Sequence, residues 1–263
     1  MNKIGFIGMG NMGKALLKGA LKSNSSDNFI FSDKYITDEM VQSIGTTKAD
    51  DNISCVKNAK YIFLAVKPQF FGEVADEIKN YITKDKVIVS IMAGLTIDII
   101  KEALGGNARV IRVMPNTPAL VEAGMSGVCF DVSEYTEEEK NTVLGILEAC
   151  GRVKIVTEAM MSAVTCACGS SPAYVYMFIE ALADSVVKYG IPRDTAYEMA
   201  AQTVLGAAKM VLETGENPAV LKDRVCSPGG TTIAAVAALE EYGFRNAIFK
   251  ATDKCYARAE ELK

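Results

Sequence analysis

The sequence predicts an α/β protein in two parts: a doubly wound parallel sheet over residues 1–157, then an all-helical domain over residues 158–263. Three observations carry this. Short apolar runs alternate with amphipathic ones from residue 3 to residue 156, the pattern of strand–helix–strand units that build a parallel sheet. Three glycines, Gly8, Gly10 and Gly13, fall between the first strand and the first helix. After Val156 the alternation stops, and the remaining segments read as helices rich in small residues.

Composition bounds the possibilities. The chain has 263 residues, 49% of them apolar, enough for one large core or two ordinary ones. A net charge of −4 argues against a nucleic-acid-binding surface. Met1, Asn2 and Lys3 lead straight into an apolar strand with no small-residue cleavage site, so no signal peptide is expected. The longest apolar stretch, residues 87–100, contains Asp98 and is too short to span a bilayer. A cytoplasmic protein without membrane or nucleic-acid partners is expected. The seven cysteines are scattered, and Cys166 and Cys168 have neither zinc nor redox spacing, so reduced core thiols are expected. The chain has no histidine. That excludes Ser–His and Cys–His nucleophiles and histidine-ligated metals, and no metal site is expected. Acid–base work falls to carboxylates, Lys, Tyr, water or the substrate.

Residues 3–7 read as the first strand. Gly8 makes the tight turn, Gly10 lets a pyrophosphate approach the backbone, and Gly13 lets the helix over residues 14–23 pack against the strand. Strand, Gly-x-Gly-x-x-Gly, helix is the Rossmann-type dinucleotide fingerprint. The helix N-terminus offers N–H groups and a favourable dipole to the anion. The plainer reading is a glycine-rich turn in an unrelated α/β domain. Residues 29–32 form the second strand, and Ser32, Asp33 and Lys34 at its end sit where such folds read the adenosine ribose. Asp33 would accept from a free 2′-hydroxyl and favour NADH. Ser32 and Lys34 would hold a 2′-phosphate and favour NADPH. Both stay open, beside a simple polar turn.

Helices follow over residues 37–44 and 54–58, then a buried strand over 61–66 that Lys67-Pro68 ends, because proline breaks the ladder. A helix over 70–81, a strand over 87–91, a turn at Ala93-Gly94 and a helix over 97–104 capped by Thr96 come next. The strand over 109–114 is broken by Pro115 and Pro118. Residues 125–130, 136–150 and 152–156 complete the sheet as strand, helix and strand. Ligands of doubly wound sheets bind at the carboxyl ends of strands. Lys67, Ala93 and Asn116 follow strand ends and are expected to face the cofactor, with an exposed turn lysine as the plainer reading of Lys67.

Residues 158–189 read as one long helix, interrupted at Gly169–Pro172 and kinked by Pro172. Helices over 192–214, 218–226 and 244–262 follow. Small residues such as Ala200, Ala201, Gly206, Ala207 and Ala208 lie on several sides, and a helix apolar nearly all round is buried. A small helical domain cannot hide that surface alone, so a homodimer through the C-terminal helices is expected.

Ser227-Pro228-Gly229-Gly230 cannot continue a helix. Thr231 and Thr232 read as caps of an apolar helix over 233–240. Backbone N–H groups of a Gly-Gly turn at a helix start make a small anion site, and two threonine hydroxyls beside it offer a second polar contact. A plain helix cap is the alternative.

Gly8-Met9-Gly10, Ala65-Val66-Lys67-Pro68, Met114-Pro115-Asn116-Thr117-Pro118, the stretch from Gly169 to Tyr174 and the stretch from Ser227 to Ile233 fall in one order and spacing. In these the chain resembles the pyrroline-5-carboxylate reductases, over essentially its whole length. The resemblance implies the last step of proline synthesis: reduction of 1-pyrroline-5-carboxylate by NADPH, or by NADH. It also implies a homodimer, built further into a ring of five dimers. It puts the pyrophosphate on Ile7, Gly8, Met9, Gly10, Asn11 and Met12, a 2′-phosphate near Ser32 and Lys34, and the adenosine side near Asn52. The nicotinamide half would lie along Ala65, Val66, Lys67, Pro68, Ala93 and Asn116. The substrate carboxylate would rest on the N–H groups of Gly230 and Thr231 near Ser227, with Glu158 lining the pocket. The Thr232 hydroxyl would reach the ring nitrogen as the catalytic contact. Arg224 would add positive charge near the carboxylate. The family's pattern is broken at Gly169-Ser170-Ser171, which carries a serine where many relatives have glycine.

Two other readings compete. A β-hydroxyacid dehydrogenase shares the plan but uses a lysine base on the first long helix. No lysine occurs here between Glu158 and Val187. A dinucleotide sensor without turnover would have no use for the turn from Ser227 to Thr232.

Overall fold

The computed structural model describes residues 3–263. The first part holds eight strands: β1 (Ile4–Ile7), β2 (Phe29–Ser32), β3 (Thr47–Lys48), β4 (Tyr61–Leu64), β5 (Val87–Ser90), β6 (Arg109–Met114), β7 (Gly124–Cys129) and β8 (Gly151–Ile155). They form one sheet in the order β3-β2-β1-β4-β5-β6-β7-β8. Ile4 pairs with Phe29 on one side and Tyr61 on the other, so Ile7, Ser32 and Leu64 end level. That shared carboxyl edge is where a ligand of this fold belongs.

The central strands are buried on both faces and are therefore apolar runs, not alternations. Phe6, Phe31, Phe63, Val89 and Ile111 pack with α1 (Asn11–Leu21), α2 (Asp38–Ile44) and α6 (Glu137–Glu148). Ile7, Ile62, Leu64, Ile88 and Val110 pack with α3 (Asn52–Lys57), α4 (Phe71–Ile78) and α5 (Ile97–Ala103). The Phe6 and Phe63 rings stack at 4.7 Å, an arrangement worth about 0.5–1.5 kcal/mol beyond the area buried. Thr37, Asp51, Thr96 and Thr136 cap α2, α3, α5 and α6 with their side chains. Thr136 and Glu139 form a reciprocal capping box.

The sheet departs from the expected parallel order in one place. β7 runs antiparallel to β6. The link between them, which includes the short 3-10 turn Thr117–Val121, has no room for the crossover helix a parallel return needs. The two-residue edge strand β3 was too short to announce itself in the sequence.

The expected long helix after Val156 is also more varied. A 3-10 turn (Glu158–Met160) leads into α7 (Met161–Val164), then a π-helical stretch (Thr165–Ser170), then α8 (Ser171–Val187). Pro172 lacks the N–H that would reach back to the Cys168 carbonyl. Asn116 Nδ2 donates to that carbonyl instead, at 3.1 Å. The expected kink at Pro172 is thus answered by a wider, π-type turn just before it.

Packing divides the chain differently from the expected boundary at 157/158. One unit runs to Ser170 and takes in Cys255–Lys263; the other is Ser171–Lys254. The shift has a physical cause. Met161 is fully buried against Met114 and Cys129, and Gly94 lies so close to the Leu262 carbonyl that a Cβ would stand 2.7 Å from it. In the second unit α8 packs on α9 (Arg193–Thr214) through Ala183, Ala196 and Ala200. These three are its only fully buried side chains among the described residues. α10 (Pro218–Val225), α11 (Thr231–Glu241) and α12 (Phe244–Glu261) follow. Among the described residues no helix is long and apolar enough to cross a membrane.

Candidate functional site

One group of candidate residues grows from the end of β1. Gly8 has φ +94°, and a Cβ there would meet the Ala65 carbonyl oxygen at 2.8 Å. A Cβ on Gly13 would run into the Gly8 carbonyl. These two glycines hold strand, turn and helix together. Gly10 differs: nothing lies within 4 Å of where its Cβ would be. Its bareness serves what approaches from outside. α1 starts at Gly10 without a side-chain cap and with no acid in its first turn, whereas α6 begins with Glu137, Glu138 and Glu139. The start of α1 therefore fits a dinucleotide pyrophosphate, which its first N–H groups would hold.

Ile7 and Met9 have their side chains in the core, so only their backbones face this turn. Asn11 is exposed and Met12 packs partly on the core. The Met9 N–H donates to Asp33 Oδ2 at 2.6 Å, and the Tyr35 N–H to Asp33 Oδ1 at 2.7 Å. Ser32 is buried, and its carbonyl accepts from the Gly8 N–H at 2.9 Å. Lys34 is exposed. Gly8, Ser32, Asp33, Lys34, Asn52 and Val66 line one cleft, so the residues expected at the ribose side come together. Glu73 and Glu77 of α4 line it too, and the Asn52 Nδ2 donates to Glu77 Oε2 at 2.6 Å. Sequence reading passed over both glutamates. Their four-residue spacing, which puts them on one helix face, was the available signal.

Ala65 and Val66 follow β4 half-buried, and Lys67, Pro68 and Ala93 are exposed. Asn116 follows β6 as expected but is 9% exposed. Its Oδ1 accepts from the Met125 N–H at 2.9 Å while its Nδ2 serves Cys168. Its amide thus ties the chain together. Glu158 is likewise engaged within the first unit. Its Oε1 accepts from the Ile97 N–H at 2.7 Å and from Arg112 Nη1 at 3.1 Å. The carboxylate completes the start of α5 and pairs with an arginine that is 2% exposed, a role the sequence did not suggest.

A separate group of candidate residues lies in the second unit. Gly229 has φ +67°, and the Gly230 N–H donates to the Ser227 carbonyl at 3.0 Å. A Cβ on Gly230 would stand 2.5 Å from Ser227 Oγ. The cap of α11 is Gly230, and Thr231 and Thr232 are its first two helical residues, not its caps. Glycine takes the cap because a side chain there would strike Ser227. No side chain caps α11 and no acid sits in its first turn. The turn thus pairs anion-seeking N–H groups with the hydroxyls of Ser227, Thr231 and Thr232. Arg224 is bound elsewhere: its guanidinium grips Glu216, with Nη1–Oε1 at 2.7 Å and Nη2–Oε2 at 2.6 Å.

Residues 3–94 match the family model described as NADP oxidoreductase coenzyme F420-dependent. With the cradle at Gly8–Gly13, this defines the class: an NAD(P)H-dependent oxidoreductase. Residues 158–262 match the pyrroline-5-carboxylate reductase dimerisation model. The pyrroline-5-carboxylate reductase of Escherichia coli (strain K12) is 47% identical over 99% of this chain and 98% of its own. That of Methanosarcina acetivorans is 42% identical over 99% and 97%. The solved structure of a pyrroline-5-carboxylate reductase from Coxiella burnetii superposes with a TM-score of 0.92, at 33% identity over 100% of this chain and 98% of that one. The Plasmodium falciparum pyrroline carboxylate reductase, solved with NADP bound, gives 0.88 at 31% identity over 99% and 98%. The chain belongs to the pyrroline-5-carboxylate reductase family. Its cofactor is NAD(P)H, and its helical C-terminal region is a self-association domain.

Proposed function

We propose that the chain reduces 1-pyrroline-5-carboxylate to proline, the last step of proline synthesis. The observation that carries this is the uncapped, acid-free start of α11 at Gly230, flanked by Ser227, Thr231 and Thr232. The substrate is a cyclic imine bearing one carboxylate. The Thr231 N–H at the start of α11 takes the carboxylate, with Ser227 Oγ beside it; the Gly230 N–H, expected to share in this, already donates to the Ser227 carbonyl. The Thr232 hydroxyl contacts the ring nitrogen. It orients the protonated imine and stabilises the amine as it forms.

NAD(P)H, when bound, supplies the hydride. A protonated imine already accepts hydride well, so the absence of histidine costs nothing. The work of the protein is orientation, which lowers a barrier by up to about 7–11 kcal/mol in well-aligned systems. α1 and its glycine turn hold the dinucleotide by its pyrophosphate, and the residues after β4 flank the nicotinamide half.

We further place the enzyme in the cytoplasm as a homodimer joined through the helical domain, five such dimers making a ring. Exposed Val175, Phe178, Leu239 and Phe244 in the second unit support a large apolar interface. Sedimentation of a ten-chain particle is the expected result; a stable dimer would remove the ring.

The decisive assay follows reduced-nicotinamide absorbance with 1-pyrroline-5-carboxylate as acceptor. Oxidation is expected. A folded protein that binds the dinucleotide but never oxidises it would overturn the assignment.

A further inference from the structure

The ribose end of the cleft carries a charge pattern that sorts the two nicotinamide cofactors. Asp33, Glu73 and Glu77 line it with a single lysine, Lys34. Three carboxylates against one ammonium leave the wall net negative. The fold also holds the Asp33 carboxylate in place, because both its oxygens accept backbone N–H bonds, from Met9 at 2.6 Å and Tyr35 at 2.7 Å. Asp33 thus stays tied to the glycine turn itself and has nowhere to retreat. An ionised carboxylate has about four acceptor positions. Two are used here, which leaves two for the paired hydroxyls of an unmodified ribose. Glu77 is fixed as well, by Asn52 Nδ2 at 2.6 Å.

From this geometry we infer that Asp33, backed by Glu73 and Glu77, makes the enzyme prefer NADH to NADPH. The inference rests on the NAD(P)H-dependent reading of the chain and adds a direction to it. A free 2′-hydroxyl donates to Asp33. A 2′-phosphate brings about −1.5 to −2 charges and no donor in that form, and it would face three carboxylates. Lys34, Glu73 and Glu77 are all exposed and solvent screens them alike, so the half-buried, doubly held Asp33 carries most of the discrimination. Specificity of this kind comes from repulsion of the wrong ligand as much as from attraction of the right one.

The test is binding, not turnover. Calorimetric titration of the full chain with NADH and NADPH, and with ADP-ribose and 2′-phospho-ADP-ribose, gives four dissociation constants. The unphosphorylated member of each pair is expected to bind about tenfold or more tightly, the effect of like charges brought together near a surface. Asp33→Asn keeps the side-chain shape and removes the charge. It is expected to narrow the gap or reverse it, and Glu73→Gln to raise NADPH affinity more than NADH affinity. Equal or tighter binding of the phosphorylated ligands by the native protein would overturn the inference. So would an unchanged ratio in a folded Asp33→Asn protein, checked by its unfolding midpoint. The reductase assignment stands or falls separately. Imine reduction with NADPH bound more tightly removes only the preference, whereas NADH bound more tightly without imine reduction removes only the assignment.

Discussion

Gly8 and Ala65 approach so closely that a Cβ on the glycine would lie 2.8 Å from the alanine carbonyl oxygen. Two strands that end level force this contact, and Gly8 meets it at a positive φ. Gly8→Ala should therefore destabilise the fold by about 2 kcal/mol or more, from left-handed strain plus a backbone clash. Gly10 has φ −68°, which alanine adopts freely. Gly10→Ala should keep stability within about 0.5 kcal/mol and weaken dinucleotide binding about tenfold or more, the equivalent of one lost hydrogen bond. Thermal unfolding and calorimetric binding on the same two variants separate these outcomes. A Gly10→Ala protein that binds normally would remove the cradle from that turn.

Removing the Thr232 hydroxyl should lower kcat by roughly tenfold to a thousandfold, as loss of one positioned hydrogen-bonding group does elsewhere. Thr232→Ser should restore most of it. In Gly230→Ala the new methyl meets Ser227 Oγ at 2.5 Å, so the substrate KM should rise. Steady-state kinetics on all three would check this. An unchanged kcat and KM in Thr232→Ala would end the role given to that hydroxyl.

Asn116 invites a different expectation from the one its position at a strand end suggests. Asn116→Ala leaves the Met125 N–H and the Cys168 carbonyl without their partners. The cost should be about 1–3 kcal/mol, the desolvation penalty of unsatisfied groups. Chemical denaturation measures it. Equal stability with weakened dinucleotide binding would return Asn116 to the cofactor.

Below the sheet Arg109 grips Glu139 with two 2.9 Å bonds, and Lys60 adds a third contact at 3.0 Å. The Arg109 guanidinium is the main reason the Glu139 carboxyl is held down to about 2. Its pKa is lower folded than unfolded, so the folded state binds its proton less readily. The resulting stability is full above the ordinary value of 4.5 and drains away as pH falls from there toward 2. Glu139→Gln should cost about 3–5 kcal/mol at neutral pH, as breaking a buried pair does, and should flatten the acid limb between those values. An acid limb identical to that of the native protein would show that the pair does not govern it.

Much of the fold was legible because its signals are local. Continuous apolar runs such as Tyr61–Leu64, the threonine cap at 96, and the spacing of Gly8, Gly10 and Gly13 all speak through a few neighbouring residues. What stayed hidden depends on long-range partners. Nothing near Glu158 announces Arg112, forty-six positions earlier. Likewise Asn116 reads as a turn residue until the carbonyl freed by Pro172 is placed beside it. Pro172 itself was read as a kink because the sequence shows the missing donor but not the π-type turn that absorbs it. Glu73 and Glu77 were visible as a helix face, but only the sheet brings that face to Asp33.

The return of the chain's last residues to the first unit has a practical side. The Leu262 carbonyl lies against Gly94, next to Ala93 in the loop after β5. A fluorescent label attached at Leu262 would therefore sit beside the carboxyl edge of the sheet, the edge where ligands of this fold bind. β1 starts at the opposite edge, so a label attached at the exposed Lys3 leaves that face clear.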